Sequence, residues 1–378
     1  MCVRCVYSVC VLSLPPPYPT PSVNGRLAID SALPSLKALV EARGLFLGRY
    51  RLGDLIHQSA TCKVQVAEDT LNQGGLVVLK LMREHDQFER ERLARDQFEL
   101  PDGDVVEVLR HHELTDAKAG GDHFARGYVF CLVFPRGELN LQDALTHEHL
   151  APSPAEVHWE SVREIVRSIA TCLCNLHKRG VMHGDIKPLN LMRFRQGNDK
   201  QVWKLIDLDA AAVIPTPTWD EAKGSSLPMH AGAKYSSGYL PPEMIHARSD
   251  GALVVKTGVA PMDREGNNQP LDYACVPANG AIDAWALAVT LFHMCTGQRL
   301  FNTNQEDNLT AADLRKLFQW SAATTEAKVS QIQHRLARNL VARLLVLKPA
   351  DRLTMEEVLS HPFVTGEAPP GTPDDRTN

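Results

Sequence analysis

The short segment from His183 to Asn190, with the sequence His-Gly-Asp-Ile-Lys-Pro-Leu-Asn, constrains this chain more than any other part of it. It lies between an amphipathic run and the apolar pair Leu191-Met192, which predicts a compact polar loop between buried elements. Asp185, Lys187 and Asn190 place a carboxylate, a cation and an amide in this loop. Phosphoryl transfer uses such groups to orient the attacking hydroxyl, to neutralise the transferred group and to help hold magnesium. The loop therefore predicts this chemistry, with Asp185 and Lys187 as catalytic residues and Asn190 as a metal ligand.

The same loop resembles the catalytic loop of protein kinases, whose pattern is H-R-D-x-K-x-x-N. Gly184 replaces the arginine of that pattern. An H-G-D sequence with a downstream asparagine also fits small-molecule phosphotransferases of the antibiotic-modifying type, so the loop indicates the chemistry better than the substrate. A polar turn that follows a helix is the alternative without a function.

Upstream of the loop, residues 50–66 predict two strands around a turn, and the apolar strand 77–80 follows them. This order resembles the start of the small lobe of a kinase, and it implies that Lys80 pairs with the first two phosphates of ATP. In the family a glutamate from the next helix holds this lysine in place. In the charged helix that follows here we expect Glu91 in that role, with Glu89 as a close rival.

The turn between the first two strands departs from the family pattern G-x-G-x-x-G-x-V. If Val64 is the last position, the three glycines become His57, Ser59 and Cys62. Glycines at these positions let backbone amides approach phosphate oxygens without an intervening side chain. We therefore expect these four residues to contact the nucleotide, and we expect weaker ATP binding than a glycine loop would give. Burial of Cys62 as an inert residue at the end of a strand is the alternative for that side chain.

Two further strands are predicted at residues 105–109 and 128–134, with a polar loop between them. In the family the second of these strands leads into the segment that binds adenine through backbone groups. The resemblance implies that Phe134 lies at the back of the adenine pocket. A long helix of the large lobe is predicted over residues 157–177, where apolar residues recur at helical spacing.

Downstream of the loop, Asp207-Leu208-Asp209 follows a predicted strand and resembles the D-F-G triplet, in which the aspartate binds magnesium. The resemblance implies that Asp207 is a metal ligand and that Asp209 adds a carboxylate close to the metal. The segment 234–243 resembles the end of an activation segment, with Pro241-Pro242-Glu243 in place of A-P-E. Ser236 falls where Ser/Thr kinases carry a hydroxyl that meets the catalytic aspartate and lysine, which favours Ser/Thr specificity.

The remaining motifs follow in the order that the family has. The run 282–289 resembles the buried helix under the catalytic loop, and it implies that Asp283 bonds loop amides, because a lone carboxylate in so apolar a helix needs partners. Arg352 is expected to pair with Glu243. Residues 249–277 exceed the usual family length and predict an inserted surface loop or hairpin. Further helices are predicted at 314–320 and 328–347.

Composition narrows the class of protein. A net charge of -5 spread along the chain gives no sign of a nucleic-acid-binding face. The sequence has no run of about 18 uninterrupted apolar residues, so it predicts no membrane span. Nine scattered cysteines indicate reduced thiols and a cytoplasmic protein. Acylation of Cys2, Cys5 or Cys10 would tether the chain to a membrane, whereas a disordered or mis-assigned N-terminus is the alternative.

These observations together predict the α+β bilobal protein-kinase fold, with a small, mostly β lobe and a larger, mostly α lobe. The predicted boundaries are a disordered Cys/Pro-rich tail at 1–47, the small lobe at 48–135, the large lobe at 136–364 and a disordered tail at 365–378. The predicted activity is that of a Ser/Thr kinase that transfers the γ-phosphoryl group of Mg-ATP to a protein hydroxyl. A pseudokinase that acts as a nucleotide-binding or scaffold module is the alternative, because the loop glycines are missing and Gly184 and Asp209 replace family residues.

Overall fold

A computed structural model describes residues 44–114, 127–147, 157–197, 200–215, 227–258 and 270–366. The strands of this part are β1 (Tyr50–Gln58), β2 (Cys62–Asp69), β3 (Gly75–Met82), β4 (Arg110–Glu113), β5 (Phe130–Pro135), β6 (Leu139–Asn140), β7 (Val181–Met182), β8 (Leu191–Gln196), β9 (Lys200–Leu205), β10 (Ala212–Val213), β11 (Ile245–Ala247) and β12 (Leu253–Val255). The helices are α1 (His85–Gln97), α2 (Leu141–His147), α3 (Trp159–Lys178), α4 (Gly280–Thr296), α5 (Ala311–Phe318), α6 (Ala322–Val329), α7 (Arg335–Leu344), α8 (Met355–Leu359) and α9 (Pro362–Thr365).

The N-terminal part is an antiparallel five-stranded sheet in the order β1-β2-β3-β5-β4. Alternation along β3 sends Leu79 and Leu81 into the apolar cluster on one face of the sheet. Met82, and with it the intervening Lys80, belongs to the opposite face, where Phe88 of α1 packs in a second apolar cluster. The sheet therefore directs Lys80 toward α1.

The C-terminal part is helical and is built around α4, whose residues are apolar on all sides and almost all buried. Asn279 caps the helix by accepting the Ala281 N–H at 3.1 Å, and the chain leaves the helix at Gly297, whose φ of 68° suits glycine. The amphipathic helix α3 packs against it and buries Val162, Ile169 and other residues at the predicted spacing. The predicted α+β architecture is confirmed, with a β-rich N-terminal region and a helical C-terminal region.

Two predicted elements differ from the structure. The strand predicted at 105–109 is wrong, because β4 begins only at Arg110. Val105 instead forms a parallel bridge with Leu205 at the end of β9, and burial there explains the apolar sequence. The helix predicted at 328–347 is interrupted between Val329 and Arg335, and the side chain of His334 caps a new helix by accepting the Ala337 N–H at 3.3 Å.

Other predictions are met in part or cannot be compared. Helix α3 matches the predicted 157–177 within two residues at each end, and α5 overlaps the helix predicted at 314–320. Strand β12 lies in the predicted insert and pairs with β11, which precedes the insert, whereas residues 259–269 lie outside the described residues. So do Cys2, Cys5 and Cys10 and most of the predicted polar loop at 115–127. No helix in the described ranges is long and apolar enough to cross a bilayer.

Candidate active site

The loop from His183 to Asn190 is held by Asp283 of the buried helix α4. Its two carboxylate oxygens accept the backbone N–H groups of His183 and Gly184, each at 2.9 Å. His177 bonds the same carboxylate at 2.9 Å. Burial alone would raise the pKa of Asp283, but the contacts with His177 and with the loop amides hold it below the usual value. The structure thus contains the amide contacts that the sequence predicted for Asp283.

Gly184 occupies a position that only glycine fits. Its φ is 82°, in the left-handed region, and a Cβ built on it would lie 2.5 Å from the carbonyl oxygen of Ala210. An arginine at this position would require the backbone of the loop to move. Glycine replaces the arginine of the kinase loop pattern at the point where this loop lies close to the backbone of Ala210.

Asp185, Lys187 and Asn190 converge as the sequence predicted. The Nδ2 atom of Asn190 donates to Asp185 Oδ2 at 3.0 Å, and Lys187 Nζ lies 3.2 Å from the same oxygen. Lys187 also donates to the hydroxyl of Ser236 at 2.6 Å. Asp185 is only 3% exposed, and its second oxygen, Oδ1, has no hydrogen-bond partner among the described residues. A buried carboxylate oxygen without a donor is costly, and it is the atom that a hydroxyl donor would complete.

Lys80 is paired with Glu91, as predicted, with Nζ and Oε2 separated by 3.0 Å. The rival candidate, Glu89, pairs with Arg92 on a half-buried face of α1. Burial alone would lower the pKa of Lys80, but Asp207, Glu91 and Asp209 raise it well above the usual value, so the side chain is a fixed cation.

Arg95 is a residue of this site that the sequence analysis missed. It binds the other carboxylate oxygen of Glu91 at 3.0 Å and the carbonyl of Val106 at 2.7 Å. Its guanidinium carbon also lies 5.4 Å from the centre of the Phe134 ring. The spacing of four residues from Glu91 on one helix face was the available signal, because residues four apart are neighbours on a helix. Arg95 thus fixes both the glutamate that holds Lys80 and the ring predicted for the adenine pocket.

The acidic turn after β9 binds two lysines. Asp207 has a left-handed backbone, with φ of 67°, and contacts Lys80 through Oδ1. Lys234 Nζ lies 3.0 Å from Asp207 Oδ2, and 2.7 and 2.6 Å from the two oxygens of Asp209. Gln87 of α1 donates to Asp209 at 2.6 Å. Lys234 is a second residue of this site for which the sequence predicted no role. Asp209 stands where the family has a glycine, and the expected burial of its carboxylate implies a partner of opposite charge.

The two aspartates respond differently to this environment. Burial alone would raise the pKa of Asp207, but Lys234 and Lys80 lower it well below the usual value. The pKa of Asp209 is raised by its burial and by the neighbouring Asp207, against the two lysines. The environment therefore favours the ionised form of Asp207 more strongly than that of Asp209.

The chemistry of the donors suits a hard divalent cation. One carboxylate oxygen from each of Glu91, Asp207 and Asp209 lies within 4.8 Å of the others. Asn190 uses its NH₂ group to bind Asp185, so its amide oxygen is the atom available to a metal. Oxygen donors of this kind fit magnesium, and the lysines drawn to the same carboxylates show that the position attracts cations.

A sequence model described as "Protein kinase domain" matches residues 69–254 and 275–364, well over half of the chain. The chain belongs to the protein kinase family. The match omits residues 255–274, which fall inside the predicted insert at 249–277. It begins at Asp69, the last residue of β2, so the turn between β1 and β2 lies outside the matched residues.

Curated relatives agree with this assignment at low identity. The kinase is 27% identical over 206 residues to MAP kinase-activated protein kinase 5 of Mus musculus, covering 53% of this chain and 38% of the relative. It is 22% identical over 320 residues to serine/threonine-protein kinase TOS3 of Saccharomyces cerevisiae (strain YJM789), covering 80% and 50%. It is 27% identical over 337 residues to CBL-interacting protein kinase 16 of Oryza sativa subsp. japonica, covering 87% and 59%. The kinase thus spans less than two thirds of the length of each of these relatives.

The turn between β1 and β2 is short. His57 on β1 pairs with Val64 on β2 and Gln58 pairs with Lys63, so the turn consists of residues 59–61. The hydroxyl of Ser59 accepts the backbone N–H groups of Cys62 and Thr61 at 3.1 and 3.3 Å. Two amides that a glycine-rich loop would offer to phosphate are therefore already bonded within the turn.

The other predicted loop residues differ in exposure. Cys62 is 7% exposed and its side chain packs in the apolar cluster with Met82 and Phe88, which favours a packing role over contact with a nucleotide. His57 remains exposed, and its partial enclosure together with the charge of Lys234 lowers the pKa of the imidazole. Phe134 lies in the same cluster as Cys62. The nucleotide contacts of these residues stay predictions.

Proposed function

We propose that this kinase is a Ser/Thr protein kinase that transfers the γ-phosphoryl group of Mg-ATP to a hydroxyl of a protein. The observation that carries the proposal is the Oδ1 atom of Asp185, which is buried beside Lys187 and Asn190 and has no partner among the residues that the structure describes. A general base needs an acceptor atom at the place where the substrate hydroxyl arrives. The other oxygen, Oδ2, is already bonded to Asn190 and Lys187, so Oδ1 is the acceptor.

The chain's own residues divide the work of the reaction. Mg-ATP, when bound, would supply the phosphoryl group and a divalent positive charge. Lys80, which Glu91 holds in place, would bind phosphate oxygens, and Asp207 and Asn190 would hold the metal. Asp185 Oδ1 accepts the hydroxyl proton, and Lys187 neutralises charge on the transferred group.

The adenine site is proposed between the two lobes. Phe134 belongs to an apolar cluster against which Val78, Met192 and Ile206 also pack. A flat apolar base would fit between such side chains, with specificity from a few backbone groups. Pro135 ends β5 and has no N–H to donate, so the donor to adenine has to come from a residue after it.

Ser/Thr specificity is supported by the bond between Lys187 and Ser236 and by the name of the yeast relative. The hydroxyl of Ser236 positions the ammonium group of Lys187. A serine or threonine of the substrate can then approach this ammonium group closely.

The purified chain, γ-labelled ATP, magnesium and a generic basic protein test this proposal. We expect transfer of label to serine or threonine in the wild type, identified by mass spectrometry of the product. Label on tyrosine alone would contradict the specificity. No transfer above that of Asp185→Asn would replace the proposal with the pseudokinase alternative.

Because Gly184 replaces an arginine, we predict that the kinase is active without phosphorylation of the activation segment. In kinases that this phosphorylation switches on, the arginine beside the catalytic aspartate binds the phosphate. Gly184 has no charge, and its position has no space for an arginine side chain. The candidate acceptors are Thr216, Thr218, Ser225 and Ser226, which lie outside the described residues.

We expect phosphatase treatment, or alanine at all four positions, to change the rate by less than about twofold. The measurement is steady-state turnover of treated and untreated protein, with the phosphorylation state read by intact mass. A rise of about tenfold or more upon phosphorylation of any of these residues would show that another cation receives the phosphate.

The hydrogen bonds of Ser59 in the turn between β1 and β2 predict that loss of its hydroxyl strengthens ATP binding. Removing its hydroxyl in Ser59→Ala should free the amides of Thr61 and Cys62 for phosphate, where each well-made bond contributes on the order of 1.5–3 kcal/mol. We expect ATP affinity to rise by about tenfold or more, the equivalent of one such bond, and to rise further in Ser59→Gly, which also removes the Cβ. The measurement is equilibrium binding of ATP by calorimetry.

The comparison of these two variants separates the possible causes. A gain in Ser59→Gly alone would mean that the side chain obstructs the phosphate. Unchanged or weaker binding in both variants, and in a triple variant with glycine at 57, 59 and 62, would mean that the amides of this turn do not bind phosphate.

A further inference from the structure

Lys234 lies where the proposed metal would bind. Its ammonium is within 3.0 Å of one oxygen of Asp207 and of both oxygens of Asp209. Because Lys80 contacts the other oxygen of Asp207, both oxygens of that carboxylate are engaged by lysines. A magnesium ion needs such oxygens at about 2.0–2.1 Å, so it cannot enter while the present contacts remain.

The balance of charge points to the same conflict. Glu91, Asp207 and Asp209 carry three formal negative charges, and Lys80, Lys234 and Arg95 carry three positive charges in direct contact with them. A divalent ion added to this balanced set would be repelled by ammonium groups a few ångströms away. One of the cations therefore has to leave.

Lys234 is the cation that can leave. Its side chain is 37% exposed, whereas that of Lys80 is 9% exposed and is also held by Glu91. After its departure Asp209 keeps the hydrogen bond from Gln87, and Asp207 keeps its contact with Lys80. The carboxylates would then be prepared for a metal without further rearrangement of α1.

We propose that Lys234 is an internal cation that occupies the metal position and ties the activation segment to Asp207 and Asp209 until a divalent metal displaces it. This inference rests on the proposed function, because it assigns the regulation of the same site. Ser236, two residues further along the segment, is bonded to Lys187. Displacement of Lys234 by the metal therefore removes one of the two contacts that hold this part of the segment and leaves only the bond of Ser236 to Lys187, so metal binding is coupled to access of a protein substrate to the site.

Metal affinity in the absence of nucleotide provides the first test. Lys234→Met keeps the length of the side chain and removes its charge, and Lys178→Met, at a 58% exposed lysine of α3, is the matched control. Mn²⁺ binding is measured from the electron paramagnetic resonance signal of the free ion. We expect the dissociation constant to fall about tenfold or more in Lys234→Met, because no ammonium competes, and to be unchanged in Lys178→Met. An equal or higher dissociation constant in Lys234→Met would overturn the inference.

The wild-type chain provides a second test that does not depend on a variant. Reductive methylation followed by mass spectrometry reports how accessible each lysine is. We expect saturating Mn²⁺ to raise the methylation of Lys234 several-fold while Lys80 stays protected. Unchanged labelling of Lys234 at saturating metal would overturn the inference even if Lys234→Met failed to fold.

These readouts separate the inference from the proposed function. Neither measurement requires turnover, so tighter Mn²⁺ binding in an inactive chain would keep the role of Lys234 and reject the kinase activity. An active kinase with the same metal affinity in both Lys234→Met and wild type would keep the activity and reject the role of Lys234.

Discussion

Asp185→Asn is expected to lower the rate of phosphoryl transfer by roughly 10²- to 10⁴-fold, the usual contribution of a general base. The substitution keeps the shape of the side chain but removes the acceptor at Oδ1, the one oxygen of Asp185 that has no partner in the described part of the chain. Binding of ATP should change little, because the lysine and the aspartate proposed to hold its phosphates and metal are Lys80 and Asp207. Single-turnover kinetics and equilibrium nucleotide binding measure the two effects separately.

The matched control is Asp86→Asn, since the side chain of Asp86 is 88% exposed at the start of α1. This control should retain the wild-type rate. If Asp185→Asn retained it as well, the remaining turnover would have to come from a contaminant or from a different base, and the scaffold alternative would be favoured. A parallel loss of ATP affinity would show instead that Asp185 supports the nucleotide site.

Arg352→Met is expected to destabilise the fold by about 3–5 kcal/mol, the usual cost of removing one partner of a buried ion pair. The side chain of Arg352 is 0% exposed and binds both oxygens of Glu243 at 2.6 and 2.7 Å. It also donates to the carbonyls of Val346 at 2.7 Å and Ala281 at 3.1 Å. Methionine would fill much of the volume but leave these acceptors without donors. Equilibrium unfolding in urea measures the loss.

An exposed arginine supplies the control for this experiment. Arg51 pairs with Glu68 on the surface of β1, where its side chain is 58% exposed, so Arg51→Met should cost no more than about 1 kcal/mol. In the double variant Glu243→Gln/Arg352→Met the losses should be less than additive, because the second change removes a charge that the first has orphaned. A loss below about 1 kcal/mol for Arg352→Met would mean that the buried pair contributes no more than a surface pair.

Several contacts of the site were predictable because charged residues stand in apolar surroundings. Lys80 ends a strand of branched apolar residues, and Asp283 interrupts an apolar helix, so each needed a partner of opposite charge or a hydrogen-bond donor. The family resemblance then pointed to a glutamate of the charged helix, with Glu91 preferred over Glu89, to the loop amides and to the pair of Glu243 with Arg352. The structure contains all three contacts.

The errors in secondary structure have a different cause. Val105 and Val106 are apolar because they are buried beside the end of β9, not because they belong to the sheet of β1–β5. The run that ends in α7 has helical residues on both sides of the break between Val329 and Arg335, and the cap at His334 is a weak signal in a single sequence. Burial and local periodicity do not reveal which neighbour a segment packs against.

The sequence by itself predicted the kinase fold and the residues that meet in the loop, because the family motifs stand in order along the chain and Asp185, Lys187 and Asn190 lie within six residues. Only the tertiary structure decided how Asp209 is compensated. Its partners come from Gln87 on α1, 122 residues away, and from Lys234, 25 residues away, and no local pattern joins them. A buried carboxylate pairs with the cation that the fold places next to it. The contact of Lys234 with Asp209 therefore depends on how the sheet, α1 and the segment that contains Lys234 pack together, and it could not be predicted from the sequence.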